Sequence, residues 1–564
     1  MSGMNPNILI VLHSPGLHLW QFEVIESMAQ NPQLKLHLLI SPAPDLKSNS
    51  PSGFTLYSKL DEKFFSKKLP QENAKGVKTL QELSQSVLLY DTVHDLPIAF
   101  DLAISLESNG FPFEKYGIIA NEYWFSELSQ GAELPGFDEI YYSLPSLTLR
   151  ILSSKIPTLF EPTILYGSTT AINAFSYYGT MNPCLWKLRY AFNRLLEDYL
   201  QGFQHLKKSN KTHAETIAVK SFDFEKQDLS GIKFLFFVAK IFYRFFVHKS
   251  RNFICREQFI LAYRKRGNTL LSQGNLEGFK LLEPPSSEFW ADPFLFTHKN
   301  KTYLFFENLE FSTGVGKLSV LNLSALEAGH ASVPADVLVM PYHLSYPQVF
   351  KDQEQIYMLP ETTGNNAVEL YVAEEFPLKW KKAGNLLDNI KAHDATLMKK
   401  DGLYWLFANV ESKNAPFNDE LFIFSADSLK GEWRAHPLNP VATHVESARS
   451  GGRIHYDGEK LLRPSQDCSV CYGYGLNFNE VIVLNQKDYS EALLEKITPF
   501  QQKDYHAIHS YDVNDEYEVI DMARYMPKFS IIRLFSSFSP IFTFQFSFHF
   551  KAQKNKAHSV VLNF

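Results

Sequence analysis

A repeat of about 50 residues in the C-terminal half is the sequence feature that most constrains the fold. Its first three copies start 54 and 48 residues apart. Each of these has a polar or tyrosine residue, an apolar strand, a polar turn and an aromatic-rich strand that ends in a polar residue 15 positions on. The five copies run from Asp292 to Glu307, Tyr346 to Glu361, Asp394 to Asn409, Arg449 to Arg463 and, in a degenerate form, His509 to Asp521. β-Hairpins at this period are typical of propeller blades, so the sequence predicts an all-β five-bladed β-propeller.

Equivalent positions of successive blades point into a common space, because the innermost strand of each blade lines the axial channel. The expected first ring is Asp292, Tyr346, Asp394, Arg449 and His509. The expected second ring is Glu307, Glu361, Asn409 and Arg463, with Gln466 and Asp467 just beyond it. The alternative is that these polar residues cap turns and satisfy backbone groups.

Three acidic residues of the two rings, Asp292, Asp394 and Glu361, suggest acid–base chemistry on sugars. In glycosyl chemistry one carboxylate stays ionised as base or nucleophile, while a second carboxyl group with a raised pKa donates a proton to the leaving oxygen. Carboxylates that share one channel therefore predict glycosyl transfer or glycoside cleavage, with these three residues as the catalytic candidates.

Cationic and aromatic residues of the same region extend the prediction to substrate binding. Arg449 and Arg463 suggest an anionic donor or acceptor, such as a sugar phosphate or nucleotide sugar. Flat faces on which sugar rings stack would come from Trp290, Tyr342, Tyr346 and Tyr472. The sequence indicates no cofactor and no metal site.

Cysteine content and net charge restrict the other classes of function. The four cysteines do not make a disulfide framework, and the single CxxC of Cys468 and Cys471 lacks the second pair that a zinc site needs. A formal net charge of −6 gives no global reason to expect nucleic acid as a partner. The first apolar run, from Ile8 to Leu12, has no basic region before it and predicts a β-strand rather than a signal peptide. A cytoplasmic protein is the expectation.

The chain divides into four zones by pattern. Residues 5–200 alternate short apolar strands with helical patterns, which predicts an α/β domain with a parallel sheet. Residues 201–285 are basic and aromatic and predict a helical linker, and residues 286–525 form the propeller. The tail, 526–564, matches none of these patterns and is left unassigned.

The linker alternates aromatic residues with positive charge between residues 231 and 256. Its cations are Lys233, Lys240, Arg244, Lys249, Arg251 and Arg256. This charge argues against a helix that spans a membrane. Two interpretations stay open: an amphipathic helix that rests on an anionic membrane, which would place the protein at the inner face, or a helix packed between the two domains.

Long motifs in the propeller region carry a family resemblance: FWADPFLF, TYLFFE, PYHLSYPQVF, HDATL, SARSGG and RPSQDCSVCYGYG. By these motifs, the segment from about Phe289 to Asp521 resembles the propeller domain of plant glucosamine inositolphosphorylceramide transferases and of bacterial surface-polysaccharide proteins. That domain is similar to the five-bladed propellers of glycoside hydrolase family 43. The resemblance implies a sugar or glycan ligand, nucleotide-linked or lipid-linked. It places Asp292 where the hydrolases keep their general base, and Asp394 and Glu361 match the remaining acidic roles approximately.

The N-terminal zone resembles, more weakly, the formyltransferase N-terminal domain, through DLAISLE, YGIIANEYW and PGFDEIYYSLPSLTLRIL. That family uses an Asn, a His and an Asp around a folate cofactor. Asn121 matches the Asn, but no His follows it, and His13 and His18 are the nearest by sequence. The departure favours a degenerate scaffold or a site for a nucleotide-sugar-like ligand.

Three functions therefore stay open at the level of sequence. The favoured one is glycosyl transfer or glycoside cleavage in the propeller channel, in surface-glycan or glycolipid biosynthesis. The second is sugar-nucleotide N-formylation by the N-terminal domain. The third is a glycan-binding scaffold without catalysis.

Overall fold

The computed structural model describes residues 5–13, 16–40, 53–68, 72–107, 113–130, 132–157, 162–202, 231–499 and 504–528. The unassigned tail, apart from its first three residues, lies outside the described residues, as does the first part of the predicted linker.

The N-terminal region is an α/β domain built on a seven-stranded sheet of order β5-β3-β1-β6-β7-β8-β9. Strands β5, β3, β1, β6 and β7 are parallel, whereas β8 and β9 continue the sheet antiparallel. The strands are β1 (Asn7–Leu12), β2 (Leu17–His18), β3 (Lys35–Ile40), β4 (Val77–Lys78), β5 (Leu88–Tyr90), β6 (Leu102–Ser105), β7 (Tyr123–Leu128), β8 (Ser146–Ser154) and β9 (Thr163–Ala171). The helices are α1 (Leu19–Ala29), α2 (Phe54–Phe65), α3 (Phe137–Tyr142) and α4 (Tyr177–Leu200).

The continuous apolar run of β1 explains its central place in this sheet. Parallel sheets are covered on both faces, so their strands are apolar on both faces. Helices α1 and α4 cover one face, where Trp20 and Phe192 are buried, and Phe100 and Phe113 lie in the core on the other. The predicted α/β domain with a parallel sheet is confirmed.

The linker zone is helical over only part of its described length. Helix α5 (Ile232–Ile254) runs directly into strand β10 (Cys255–Lys265), and strand β11 (Lys280–Leu282) follows. Both strands belong to the propeller, since β10 pairs antiparallel with the last strand of the chain, from Cys255↔Pro527 to Lys265↔Tyr517. The propeller therefore begins at residue 255 in the structure, about 30 residues before the boundary expected from the repeat.

Five sheets form the propeller, as the repeat predicts. Blades one to three each contribute four consecutive strands, and blade four has five. Blade one comprises β12 (Glu288–His298), β13 (Lys301–Glu310), β14 (Gly316–Asn322) and β15 (Ala335–Leu338), with helix α6 (Leu323–Glu327) before β15. Blade two comprises β16 (Ser345–Asp352), β17 (Gln355–Glu361), β18 (Ala367–Glu375) and β19 (Lys379–Asp388). Blade three comprises β20 (Ala392–Lys400), β21 (Leu403–Val410), β22 (Phe422–Ala426) and β23 (Arg434–Ala435).

Blade four comprises β24 (Arg449–Ser450), β25 (His455–Asp457), β26 (Lys460–Asp467), β27 (Gly475–Leu484) and β28 (Tyr489–Ile497). Blade five joins β29 (Tyr511–Val513) and β30 (Tyr517–Pro527) to β10 and β11, in the order β11-β10-β30-β29. Two distant parts of the chain thus close the ring of blades. Apolar clusters between neighbouring blades, such as the one that contains Trp405 and Phe407, hold the sheets together.

Candidate active site at the propeller axis

The first three blades turn a side chain toward the axis by the same local device. Asp292, Tyr346 and Asp394 have φ values of 51°, 50° and 46°, in the left-handed region that non-glycine residues seldom adopt. Each lies where the register between the two innermost strands of its blade shifts. A β-bulge leaves a residue out of the ladder and re-aims its side chain. The repeat seen in the sequence is therefore a repeat of bulges.

The second ring satisfies backbone groups that these bulges release. Asp521, at the end of the sequence repeat in blade five, accepts the backbone N–H of Asp292 at 2.9 Å. Glu361 of blade two accepts that of Asp394 at 3.0 Å. Asn409 of blade three accepts the N–H of Ser450, in blade four, at 3.2 Å. In these three cases a residue at the end of one copy of the repeat links its own blade to the next. For Glu361 and Asn409 this is the backbone role that the sequence left open.

Asp292 lies in a buried triad with His509 and Asp521. His509 Nε2 lies 3.6 Å from Asp292 Oδ1, and His509 Nδ1 lies 2.7 Å from Asp521 Oδ1. Asp521 is also fixed by the backbone N–H groups of His509 and Ser510, at 3.1 and 2.9 Å. All three side chains of the triad are at most 6% exposed. Asp521 thus holds His509 with one ring nitrogen toward Asp292.

Burial and neighbouring charge change the protonation of this triad. Burial raises the pKa of Asp292 well above its usual range, and nearby carboxylates add to the rise while His509 opposes it. Burial lowers the pKa of His509, but the charge and hydrogen bond of Asp521, together with Asp292, outweigh it and raise that pKa to about 9. At neutral pH His509 is therefore a cation, and burial favours the protonated form of the Asp292 carboxyl group beside it.

Asp394 lies in a different, more densely bonded setting. Its Oδ2 accepts hydrogen bonds from Arg449 Nε at 2.7 Å and from Gln466 Nε2 at 3.0 Å. Burial raises the pKa of Asp394 to about 6, and Arg449 opposes the rise, so the group is ionised at neutral pH. Burial also acts to raise the pKa of Glu361, but His393 and Arg449 outweigh it and lower that pKa. Asp394 and Glu361 are therefore carboxylates that are already ion-paired, Asp394 with Arg449 and Glu361 with Arg449 and His393.

Arg449 is held on several sides and faces two aromatic rings. Its Nη1 donates to Asn418 Oδ1 at 2.7 Å, and its guanidinium carbon lies 5.2 Å from the ring centre of Phe417 and 5.0 Å from that of Tyr472. Phe417 stacks on His393 at 4.4 Å, and Tyr472 meets His509 edge-on at 5.6 Å. Tyr472 is 44% exposed whereas Arg449 is 4% exposed, so the tyrosine is where the cluster reaches solvent.

Tyr346 does not offer its ring as an open face for a sugar. The ring is fully buried and meets Phe294 edge-on at 4.8 Å. Its hydroxyl accepts the backbone N–H of Gly452, in blade four, at 2.7 Å and lies 2.8 Å from Thr396 Oγ1 in blade three. Gly452 has no alternative here, because a Cβ atom would lie 1.8 Å from the carbonyl oxygen of Tyr511. Tyr346 thus ties three blades together across the axis.

Four other predicted site residues contact partners other than the triad and Arg449. Trp290 is buried in the apolar cluster between blades five and one. Arg463 donates two hydrogen bonds to Glu491, at 2.7 and 2.6 Å, within blade four. Asp467 accepts hydrogen bonds from Lys496 and Ser469. Glu307 Oε1 lies 3.2 Å from His343 Nε2, beside the axis.

Sequence reasoning missed His393, Phe417, Asn418 and the part that Asp521 plays. Two of these residues, Asp521 and His393, could have been found from the sequence. Asp521 ends the fifth copy of the repeat, where the first two copies end in Glu307 and Glu361, and His393 stands directly before Asp394. Phe417 and Asn418 lie in a loop between β21 and β22 that the repeat does not include, so only the fold brings them to Arg449.

The triad also offers the groups that a metal ion would need. One ligand atom from each of Asp292, His509 and Asp521 lies within 4.8 Å of the others. A cation there would require deprotonated Asp292 and neutral His509, whose raised pKa values favour the protonated forms. The arrangement can hold protons or a cation, and the raised pKa values of Asp292 and His509 oppose the cation.

The N-terminal domain binds one of the loops at the mouth of this site through hydrogen bonds and ion pairs. Asp419 accepts from Lys187 Nζ at 3.0 Å and from the Thr170 hydroxyl, in a contact where the Lys187 and Asp419 side chains are each 2% exposed. Arg194 makes two hydrogen bonds to Glu420, at 3.1 and 2.6 Å. These two acidic residues directly follow Phe417 and Asn418 in sequence.

A second loop is held in the same way by the outer strands β8 and β9. Thr443 accepts the backbone N–H of Thr169 at 3.2 Å, and Glu446 accepts from Ser146 Oγ at 2.7 Å. Arg449 follows three residues later. The α/β domain therefore fixes both loops that deliver groups to the Asp394 side of the axis.

The residues suggested for formyl transfer do not form a site around Asn121. Asn121 precedes β7, and its amide donates to Asp101 Oδ1 at 3.4 Å. His13 follows the carboxyl end of β1, and open α/β sheets bind ligands at the carboxyl ends of their strands. Asn121 therefore lies at the amino ends of the parallel strands, whereas His13 lies at their carboxyl ends.

Comparison with known proteins identifies the propeller segment. Residues 282–516 match the family model described as glucosamine inositolphosphorylceramide transferase 1, N-terminal. Glucosamine inositolphosphorylceramide transferase 1 of Oryza sativa subsp. japonica is 37% identical over 210 residues, and that of Arabidopsis thaliana is 35% identical over 211 residues. Each alignment covers 36% of this chain, but only 28% and 27% of the two plant proteins.

Two of the solved structures that the chain matches are glycoside hydrolases. The family 117 enzyme Zg3597 of Zobellia galactanivorans has 11% identity and a TM-score of 0.30, over 48% of this chain and 90% of its own. A thermostable family-43 glycoside hydrolase has 12% identity and a TM-score of 0.30, over 38% and 82%. The resemblance of the propeller to the glucosamine inositolphosphorylceramide transferase domain is confirmed, whereas the formyltransferase resemblance of the N-terminal domain is not confirmed.

Proposed function

We propose that the propeller axis is a carbohydrate site in a protein of glycolipid or surface-glycan biosynthesis, and that Asp292 exchanges a proton with the bound sugar. The family match of residues 282–516 supports the class of ligand. The observation that carries the proposal is the triad, in which a buried carboxyl group with a strongly raised pKa faces a histidine that a second carboxylate orients. Strongly perturbed groups in a concave site are typical of catalytic acids and bases.

The raised pKa favours one direction of proton transfer. A protonated Asp292 can donate to the glycosidic oxygen that leaves as the bond to the anomeric carbon breaks; water or an acceptor hydroxyl then forms the new bond to that carbon and gives its proton back to the Asp292 carboxylate. His509, held as a cation by Asp521, stabilises the carboxylate that remains. This is the role of a general acid, whereas the family resemblance implied a general base. The environment of Asp292 at neutral pH supports the acid.

Asp394 and Glu361 have a positioning role in this proposal. Their oxygens already accept hydrogen bonds from Arg449, Gln466 and the Asp394 backbone N–H, so neither group is poised to transfer a proton. The ion pair they form with Arg449 holds that guanidinium between Phe417 and Tyr472. The exposed ring of Tyr472 would then supply the stacking face at the mouth of the site.

The experiment is binding and turnover with a panel of glycans, glycolipids and nucleotide sugars, for the wild-type chain and for Asp292→Asn. We expect the variant to bind a ligand that the wild type turns over, with a loss of turnover of about a hundredfold or more. Asp401→Asn, at an exposed hairpin turn, is the matched control and should keep full activity. Equal turnover by Asp292→Asn and wild type would contradict the proposal.

A second candidate is glycan recognition without catalysis. It is favoured by the commitment of Asp394 and Glu361 to cations, which leaves one carboxyl group rather than a pair for chemistry. In that case the wild type and Asp292→Asn bind the same glycan and neither converts it, while Tyr472→Ala weakens binding. The same panel therefore separates the two functions.

A further inference from the structure

Helix α5 has two apolar faces, and one of them covers the α/β domain. Phe237 and Ile241 are each 5% exposed and pack in a cluster with Phe137, Tyr57 and Phe54. Phe137 lies 5.0 Å from Phe237, in an edge-on contact. This side of the helix accounts for its attachment to the domain.

The other apolar face of α5 is exposed along the whole helix. Seven large apolar or aromatic side chains on it are between 61% and 72% exposed: Ile232, Leu235, Phe236, Phe242, Tyr243, Phe246 and Phe253. At about 100° per residue, the seven positions fall within an arc of about 120°, on one side of the helix. Contiguous exposed apolar patches of this size mark interaction sites. We call these seven residues the exposed stripe.

Positive charge borders the exposed stripe. Between residues 232 and 254 there are five cations and no Asp or Glu: Lys233, Lys240, Arg244, Lys249 and Arg251. At about 100° per residue, Lys233, Lys240 and Arg251 fall along one margin of the stripe and Lys249 along the other. An apolar face flanked by lysine and arginine is typical of helices that lie in the interface of an anionic membrane.

Helix α2 adds to this surface. Phe64 and Phe65 each lie 5.9 Å from Phe245 of α5, so the two helices are neighbours. Helix α2 exposes a shorter stripe of its own, with Leu56 at 64%, Leu60 at 58% and Phe64 at 46%. Lys59, Lys63, Lys67 and Lys68 are exposed beside it.

A helix with this pattern would lie along a bilayer. Within the residues that the structure describes, no helix is long and apolar enough to cross a membrane. Helix α5 is about 35 Å long at about 1.5 Å per residue, which gives a long line of contact with a surface. Its C-terminal end is joined without a break to β10, and Ile254 accepts the backbone N–H of Lys528, so the helix is fixed to blade five.

We propose that α5 and α2 dock flat on an anionic lipid bilayer, with the exposed stripe buried at the boundary between headgroups and acyl chains and the bordering cations on the lipid phosphates. The positive charge of the helix favours an anionic surface over an uncharged apolar partner. The five cations, with no acidic residue among them, would also repel a second copy of the same face. This docking is independent of the chemistry at the propeller axis. The inner-face location expected from the sequence stays a prediction.

The test is flotation of the full chain with vesicles of phosphatidylcholine alone or phosphatidylcholine mixed with phosphatidylserine. We expect the wild type to float with the mixed vesicles, and the triple variant Leu235→Gln/Phe242→Gln/Phe246→Gln to bind them at least about tenfold more weakly. Because all three positions are exposed, circular dichroism and the melting temperature should match those of the wild type. The charge variant Lys233→Gln/Lys240→Gln/Lys249→Gln should lose the preference for phosphatidylserine.

Two outcomes would overturn the docking proposal. One is wild-type protein that stays unbound with the mixed vesicles. The other is a dimer in sedimentation velocity that the triple variant abolishes, together with no flotation, which would assign the exposed stripe to a second copy. A Phe246→Trp reporter adds an independent measurement when the emission of the wild type, with its seven tryptophans, is subtracted: the added indole should shift its emission to the blue only in the presence of anionic vesicles.

Discussion

Blades one and three place an aspartate on the same bulge, with nearly the same backbone, yet the two carboxyl groups end in different chemical states. Asp394 faces Arg449 and Gln466 and is ionised at neutral pH, whereas Asp292 faces His509 and has a pKa that burial raises well above its usual range. The repeat therefore determines where a side chain points. The residues that neighbouring blades supply determine what that side chain does.

The two sides of the axis also differ in their support. On the Asp394 side, the loops that carry Phe417, Asn418 and Arg449 are held by Lys187, Arg194 and β9 of the α/β domain. On the Asp292 side, the partners belong to blade five of the propeller itself. Substitutions on the two sides should therefore differ in their effects on the free energy of unfolding and on activity.

The largest effect on stability is expected from Arg449→Met, which removes the cation on the Asp394 side. It leaves Asp394 and Glu361 as buried carboxylates without their shared cation, so the free energy of unfolding should fall by about 3–5 kcal/mol. Urea denaturation followed by circular dichroism measures this. Arg434→Met, on the exposed edge of blade three, is the control. A loss below about 1 kcal/mol would mean that Arg449 does not compensate the two charges.

The next effect concerns pH on the Asp292 side. The pKa of His509 is raised from 6.5 to about 9 in the folded protein, so its contribution to stability is complete below pH 6.5 and is lost as the pH rises through 9. The expected loss over this window is up to about 3 kcal/mol. Denaturation between pH 6 and 10 should show this decline in the wild type and not in His509→Gln. The same decline in both proteins would assign it to other groups.

A smaller effect should follow when the support from the α/β domain is weakened. Arg194→Gln removes the paired hydrogen bonds to Glu420 and should cost about 2 kcal/mol in unfolding free energy. Because Glu420 follows the Phe417 loop, we also expect weaker ligand binding at the axis. Arg189→Gln, on the same helix but paired with Glu23 of the α/β domain, separates general destabilisation of that domain from loss of the loop contact. Equal binding losses in both variants would contradict the coupling.

The smallest change in stability should come from Asp292→Asn. An amide resembles the protonated carboxyl group that burial of Asp292 favours, so the free energy of unfolding should change by less than about 1 kcal/mol. Asp394→Asn should destabilise the protein more, because Arg449 loses its nearest anion. Paired denaturation curves at pH 7 compare the two variants. A larger loss for Asp292→Asn would mean that Asp292 is ionised in the folded protein.

The repeat predicted the five blades and the inner positions, because propeller blades recur at a fixed period and bulges follow that period. It could not predict that Arg463 faces Glu491 inside blade four while Gln466 reaches Asp394, since side chains alternate between the two faces of a strand. Trp290 precedes the bulge by two residues and packs between blades, although it looked like a sugar-binding ring. The place of β10 was missed because its partner β30 lies more than 250 residues away in sequence.

The closure of blade five has a consequence for the order of events on the ribosome. Strand β10 emerges early, but its partner β30 is made only when synthesis reaches residue 517, so four blades are complete before the ring can close. During that interval β10 presents an unpaired edge, and unpaired edges invite wrong partners. The α/β domain and helix α5 are finished well before then, so a nascent chain could reach a bilayer with its propeller still open.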